Sequence, residues 1–398
     1  MAFGHPDFFM LWFSGVAVSV AMVLRTLVSA QWLYDTTGSA AQLGLLGVVQ
    51  LLQLPAVVYG GSLADRMDRK KLMVFTQTAS CLLLLALTVL AGANSLEPWH
   101  IFVVTGLSGI FNVLGGSVRP AMLPRVVPRD LLSHAVTILT ATGQLSTVLS
   151  PILFWQFYEH LGVEMSFALA TGITLLSGVL PMLIRASGKP ETTSATSTLT
   201  SIKEGWKFVV GHPLLPGLYV LDMGVTVVSF YRQLFPIFAK ELYGLGATGT
   251  GLLNTANSVG GILGTFVVFY TARMSRKGLL VLAVTLIYAV FLIAFGMNHV
   301  FILGLLIVGI LGMTDSVSMT MRLAIVQLTT PDSLLGRASA ARSFAAMSSN
   351  NLGQAEVGLL SAAIGAGSTM VMGGVLSILF VLAVWRFMPS IRNYRFTA

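Results

Sequence analysis

The chain has 398 residues, of which 55% are hydrophobic, only 10% are charged and 40 are glycine. A soluble chain is about one-quarter charged, so a water-soluble enzyme is excluded. The one cysteine, Cys81, excludes a disulfide framework, a thiolate metal site and a CxxC redox pair. The net charge of +8 would suggest nucleic acid in a soluble protein; here the basic residues set membrane topology, and no nucleic-acid partner is expected.

Apolar runs long enough to cross a bilayer predict spans over 8–33, 41–64, 72–93, 99–118, 131–158, 164–185, 214–243, 248–272, 279–296, 300–321, 337–362 and 367–388. The class is all-α integral membrane with twelve transmembrane helices. No basic residue precedes the first span, and its apolar stretch is too long for a signal-peptide core, so it is expected to be retained. With the amino terminus in the cytoplasm, 20 of the 23 basic residues fall in inner segments, from Arg66, Arg69 and Lys70 to Arg386, Arg392 and Arg395. Outer loops hold only Lys240, and Arg25 and Arg232 fall inside spans. Both termini are therefore expected in the cytoplasm of a multi-pass cytoplasmic (inner) membrane protein.

Between the sixth and seventh spans, Thr192–Thr198 is a Ser/Thr tract with too little apolar surface to fold. The domain reading is an amino-terminal six-helix bundle over 1–185, a cytoplasmic linker over 186–207 and a carboxy-terminal six-helix bundle over 208–398. An internal repeat supports the halves. Gly4-His5-Pro6 recurs as Gly211-His212-Pro213, Arg25 as Arg232, Gly44-Leu45-Leu46 as Gly251-Leu252-Leu253 and Arg66-Met67 as Arg273-Met274, all offset by 207. Arg119, Ala121, Pro128 and Ala135 recur as Arg322, Ala324, Pro331 and Ala338, offset by 203. A constant register across six helices indicates duplication, and transporters of this build hold substrate between their halves near the midplane.

Gly61-Ser62-Leu63-Ala64-Asp65-Arg66-Met67-Asp68-Arg69-Lys70-Lys71 resembles the signature loop of the major facilitator superfamily. Tyr34-Asp35-Thr36-Thr37-Gly38, Val127-Pro128-Arg129-Asp130-Leu131 and Thr330-Pro331-Asp332 with Gly336-Arg337 are similar to its branch of enterobactin exporters and macrolide-efflux proteins. The resemblance implies a conformational latch in Gly61, Asp65, Arg66, Arg69 and Lys70, with Asp65 at the start of the eleventh span; the second half has Ala272 in place of Asp65. It also implies that spans 1, 4, 7 and 10 line the cavity, which would make Arg25 and Arg232 facing symmetry mates. The fifth-span pattern of drug antiporters survives only as Pro151.

Ionisable groups within spans are costly and mark functional candidates. Asp222, Asp315 and Glu356 are candidates for proton coupling, because desolvation and neighbouring carboxylates favour a protonatable acid. The alternative for Asp315 is a salt bridge to Arg322, two turns along the same span. Arg25 and Arg232 are candidates to bind a substrate anion by charge-assisted bonds; the alternatives are snorkelling, or pairing of Arg232 with Glu356. Asn112, Asn350, Asn351, Gln354 and Tyr231 complete the substrate-binding candidates, the eleventh-span amides being too polar to face lipid. Trp32, Tyr34, Phe230, Phe235 and Phe238 suit either an aromatic substrate or packing.

Gly244-Leu245-Gly246-Ala247-Thr248-Gly249 matches GxGxxG without a preceding strand, and no Walker A loop is present. Gly260 and Gly264 are close-packing positions. The histidines have no metal-ligand spacing. The expectation is a monomeric secondary exporter of siderophore-like anions or amphiphilic drugs, driven by the proton gradient through alternating access, with no cofactor and no metal. A lipid or lysolipid flippase is the transport alternative; a non-transporting receptor or assembly factor is the alternative of another class.

Overall fold

The computed structural model describes residues 2–58, 67–116, 118–189, 198–271 and 274–395. Every regular element among them is helical. They fall into two compact units, one of Met1–Thr36 with Val49–Thr198 and the other of Thr37–Val48 with Leu199–Ala398.

The first unit holds α1 (Pro6–Thr37), the end of α2 (Ala40–Gln50, continued by Leu51–Gln53) and α3 (Arg69–Gly92). It continues with α4 (Pro98–Gly116, resumed as Val118–Val126) and the run Leu132–Val179. That run is interrupted at Gly162, whose φ of 80° suits glycine alone, giving α5 (132–161) and α6 (163–179). Asp68 caps α3, its carboxylate accepting from the backbone N–H groups of Lys70 and Lys71 at 3.0 and 3.3 Å. The Asp7 carboxylate, in the first turn of α1, accepts from the N–H groups of Arg185 and Ala186 at 3.0 and 2.8 Å. Near this end Phe8, Leu11, Leu72, Met73, Met122 and Ile184 form a buried cluster. Farther along, α3 packs on α4 and α6, and the Ser177 hydroxyl donates to Gln77 Oε1 at 3.0 Å.

The second unit begins with the start of α2, then α7 (Thr198–Gly211) and α8 (Leu215–Val228). After these come α9 (Gly246–Thr271), α10 (Lys277–Met297), α11 (Phe301–Thr329), α12 (Asp332–Ile364) and α13 (Ala366–Phe387). α9 packs on α11 and α10 on α13, while α8 lies against α12 and α13. Gly260 and Gly264 are close-packing positions: a Cβ on Gly260 would overlap the Gly309 carbonyl, and one on Gly264 would stand 2.6 Å from the Met313 carbonyl oxygen. Gly44 and Gly47 do the same for α2 on α12, where a Cβ on Gly47 would stand 2.6 Å from Asn351 O and Gln354 Cβ.

Nine helices among the described residues are long and apolar enough to cross a membrane, and Leu215–Leu242 makes ten once its bend against Ile202–Gly211 is recognised. Dividing the 55-residue run Arg129–Leu183 at Gly162 adds one. The remaining span is α12, long at 33 residues but made polar by Arg337, Arg342 and Glu356. This is consistent with twelve spans.

Several boundaries differ from the hydropathy reading. The fourth and tenth spans, expected to end at 118 and 321, run on as helix to Val126 and Thr329. Apolarity stops at Arg119 and Arg322, but the backbone stays helical until Pro128 and Pro331 disfavour the α conformation of the residue before them. The seventh span, expected as one helix over 214–243, breaks after Val228 into a 3-10 turn (Tyr231–Leu234), a short α segment and a π turn (Phe238–Leu242). Pro236 has no N–H for the Arg232 carbonyl, which instead accepts from Phe235 N–H. α7 makes the linker segment helical from Thr198; the Ser/Thr tract before it lies outside the described residues.

Candidate functional site

Inside the second unit, α8, α10, α11 and α12 enclose a polar cavity of about 70 Å³. That volume is room for a few water molecules or one functional group, well below the ~300–1,000 Å³ of pockets that hold whole ligands. Asp222, Tyr231, Arg232, Asp315 and Asn350 line it, together with Ser229, Thr285, Tyr288, Ser318 and Arg322. Arg322 Nη2 pairs with Asp222 Oδ1 at 2.8 Å, and its Nη1 donates to Ser318 Oγ at 2.9 Å. The Ser318 hydroxyl lies 3.2 Å from that of Thr285. Tyr288 and Ser229 are joined at 3.0 Å, and Asn257 donates to the Tyr231 hydroxyl at 2.7 Å. Among the described residues no hydrogen bond or ion pair reaches Asp315. The cavity therefore contains one carboxylate neutralised by a guanidinium and a second that no bond ties down.

The i, i+7 bridge from Asp315 to Arg322 does not form. Two helical turns separate their Cα atoms by about 10.5 Å, whereas α8 brings Asp222 directly alongside Arg322. Ser318, one turn before Arg322, takes its other nitrogen. Asn350 lines the cavity, but Asn351 and Gln354 lie against Gly47 of α2. Glu356 lies outside the cavity lining, with one carboxylate oxygen buried and without a hydrogen-bond partner. It does not pair with Arg232, which is exposed and lies 5.6 Å over the Phe230 ring. Tyr231, Phe235 and Phe238 surround Phe295 at centroid distances of 6.4, 6.1 and 4.4 Å, so Phe235 and Phe238 are core packing, while Tyr231 both packs on Phe295 and lines the cavity. Ser229, Thr285, Tyr288 and Ser318 escaped the sequence reading because single hydroxyls in an apolar span carry no distinguishing signal; the i, i+3 spacing of Thr285 and Tyr288 was the one hint.

Inside the first unit, α1, α3, α4 and α6 enclose a smaller cavity of about 20 Å³. Arg25 and Asn112 line it with Gln77, Ser80, Ser108 and Thr174. Arg25 is only 7% exposed, on an unbroken helix, unlike Arg232 on its 3-10 turn. The two arginines expected as an equivalent pair thus have different surroundings.

Of the latch residues, Arg69 donates to the Ala121 carbonyl at 3.1 Å and Lys70 Nζ to that of Ile184, both within the first unit. Gly61, Asp65 and Arg66 lie outside the described residues, as do Ala272 and Arg273. Gly244 and Gly246, at φ of 65° and 48°, shape the turn that leads into α9, and no strand occurs among the described residues, so the GxGxxG match has no nucleotide-binding context. The described residues contain no group of three or more His, Cys, Asp or Glu side chains able to hold a metal.

Helices long and apolar enough to cross a membrane define a multi-pass membrane protein, and the family match makes it a transporter, whose work is transport and not catalysis. The chain belongs to the Major Facilitator Superfamily, whose family model matches residues 8–353. It is 27% identical to the enterobactin exporter EntS of Shigella boydii serotype 4 (strain Sb227) over 384 residues, 94% of this chain and 88% of that protein. The same figures hold for the enterobactin exporter EntS of Escherichia coli O81 (strain ED1a). Among solved structures, a bacterial homologue of the human lysosomal transporter Spinster aligns with a TM-score of 0.75 at 14% identity, covering 97% of this chain and 98% of that one. A POT family transporter crystallised with 5-aminolevulinic acid aligns at 0.74 and 13% identity, covering 98% and 97%. These structures share the fold.

Proposed function

We propose that this transporter exports small organic molecules in exchange for protons by alternating access, with siderophore-like anions as the first substrate class and amphiphilic drugs as the second. The relatives named as enterobactin exporters support the direction and the substrate class. The observation that carries the coupling is the pairing in the second unit's cavity: Asp222 is paired with Arg322 at 2.8 Å, while Asp315 lines the same space unbonded. A carboxylate inside a span is costly to keep charged, so Asp315 is the group to bind and release the proton, with the Asp222–Arg322 pair as its fixed electrostatic background. Asp222 and Glu356 are the secondary candidates. The exporter works as a monomer in the cytoplasmic membrane, with both termini in the cytoplasm and the proton gradient in place of a cofactor.

The test uses full-length protein in proteoliposomes with an imposed pH gradient. Asp315→Asn should abolish gradient-driven uphill transport while leaving substrate counterflow intact. Undiminished pH-driven transport in both Asp315→Asn and Asp222→Asn would refute coupling through this cavity and move attention to Glu356.

A further inference from the structure

The two cavities occupy the same place in the duplicated architecture. α4 begins at Pro98 and α11 at Phe301, 203 residues apart, the offset that superposes Arg119 on Arg322. With the 207 offset for α1 and α8, Val18, Met22, Arg25 and Asn112 of the first cavity fall on Val225, Ser229, Arg232 and Asp315 of the second. What differs is charge. Asp315 corresponds to Asn112, and Asp222 corresponds to Gly15, where a Cβ would stand 3.8 Å from Arg119 Cδ. The first unit has neither carboxylate at these positions but has both arginines, and the lining of its cavity contains no acidic residue.

We propose that the first cavity is a site for one compact anionic group, the carboxylate or catecholate oxygen of the exported molecule, held by Arg25 with Ser108. Arg25 Nη1 and Ser108 Oγ are both buried and have no hydrogen-bond partner. The neighbouring polar side chains already donate elsewhere: Asn112 to Ser108 O at 2.8 Å, Ser80 to Thr76 O at 2.8 Å and Thr174 to Ala170 O at 2.8 Å. Gln77 accepts at Oε1 from Ser177, and its amide N–H joins the guanidinium and the Ser108 hydroxyl as donors for an incoming anion. The 20 Å³ volume admits a group about the size of one water, so a carboxylate oxygen or a halide fits and a whole substrate does not. Met22 of the lining is 48% exposed, and in this proposal the rest of the molecule projects on that side. This assignment rests on the reading that the chain transports small organic anions, and it separates the roles of the halves: anion recognition in the first, proton exchange in the second.

The test is equilibrium binding of salicylate and its neutral isostere salicylamide to the purified full chain, in gluconate and in chloride buffer, with no proton gradient. Arg25→Gln should weaken salicylate binding about tenfold or more, the usual scale for removing a charge-assisted contact, with salicylamide unchanged. Asn112→Asp places in the first cavity the carboxylate that the second one has, and should cause the same loss. Chloride that competes with salicylate in the native chain but not in Arg25→Gln would place a free halide in the same site and support the compact-anion assignment. A chloride-dependent change in tryptophan fluorescence that requires Arg25, with no salicylate binding, would keep the site but overturn its assignment to the exported molecule. Salicylate binding equal in the native chain, Arg25→Gln and Asn112→Asp would overturn the site altogether. Because no gradient is applied, these outcomes are independent of whether Asp315 carries the exchanged proton.

Discussion

Replacing Asp222 by Asn would remove the charge that Arg322 pairs with and leave the guanidinium only neutral acceptors, the new amide oxygen and the Ser318 hydroxyl, and the cost follows from the geometry. The pair is 2.8 Å between nitrogen and oxygen, with side chains 14% and 30% exposed. Charges centred about 4 Å apart attract by about 4 kcal/mol at an effective dielectric of 20. Part of that is offset by desolvation, and because water reaches the carboxylate side the expectation is a coupling of about 2 kcal/mol, between exposed and fully buried pairs. Asp222→Asn and Arg322→Gln should each destabilise the protein by about 2–3 kcal/mol, and the double variant by about 2 kcal/mol less than their sum. Reversible unfolding in mixed micelles, followed by tryptophan fluorescence, measures all four corners of the cycle. The pair Arg337–Glu204, also 2.8 Å long but 40% and 44% exposed, is the internal control and should couple by less than about 1 kcal/mol. Additivity of Asp222→Asn and Arg322→Gln within about 0.5 kcal/mol would refute the claim that the pair is an energetic unit.

Gly15→Asp should build the same pair in the first unit, because the new Cβ fits at ordinary contact distance from Arg119, whose Nε is buried and unpartnered. A gain of about 1 kcal/mol in the same unfolding assay is expected, from pairing and from removing a helical glycine; a loss would show that the site rejects the carboxylate. His212 caps the start of α8 by accepting at Nδ1 from the N–H groups of Leu214 and Leu215 at 3.2 and 3.4 Å, and burial pushes its pKa below the usual 6.5. Its unfolded form takes up protons first, so stability should be full above pH 6.5 and fall as pH drops below it through the lowered folded value. Thermal melts of the native protein and His212→Asn at descending pH check this, the variant showing the shallower decline. On a Cys81→Ser background, a cysteine at exposed Thr200 should resist impermeant thiol reagents in intact cells while one at exposed Ser95 reacts; the reverse pattern would invert the proposed topology.

Composition and hydropathy by themselves determined that this is an all-helical membrane protein with twelve spans, because a bilayer admits few other ways to satisfy backbone hydrogen bonds. The repeat was legible for the same kind of reason: duplicated loops and prolines keep their spacing in the chain whatever the fold does. Asp222, Asp315, Arg25 and Arg232 stood out because a charge inside an apolar run is conspicuous in one dimension. Which of them pair is a three-dimensional matter, and only tertiary packing decided it. Arg322 reads as a partner for Asp315 along one helix, yet α8 delivers Asp222 at 2.8 Å. Arg25 and Arg232 match in register, yet the helix breaks after Val228 and leaves Arg232 exposed on a 3-10 turn, while Arg25 is buried on an intact helix. The contrast between a cavity with two carboxylates and one with none needed both, since the aligned repeat supplies the correspondence and the packing of α1, α3, α4 and α6 makes the aligned positions a cavity.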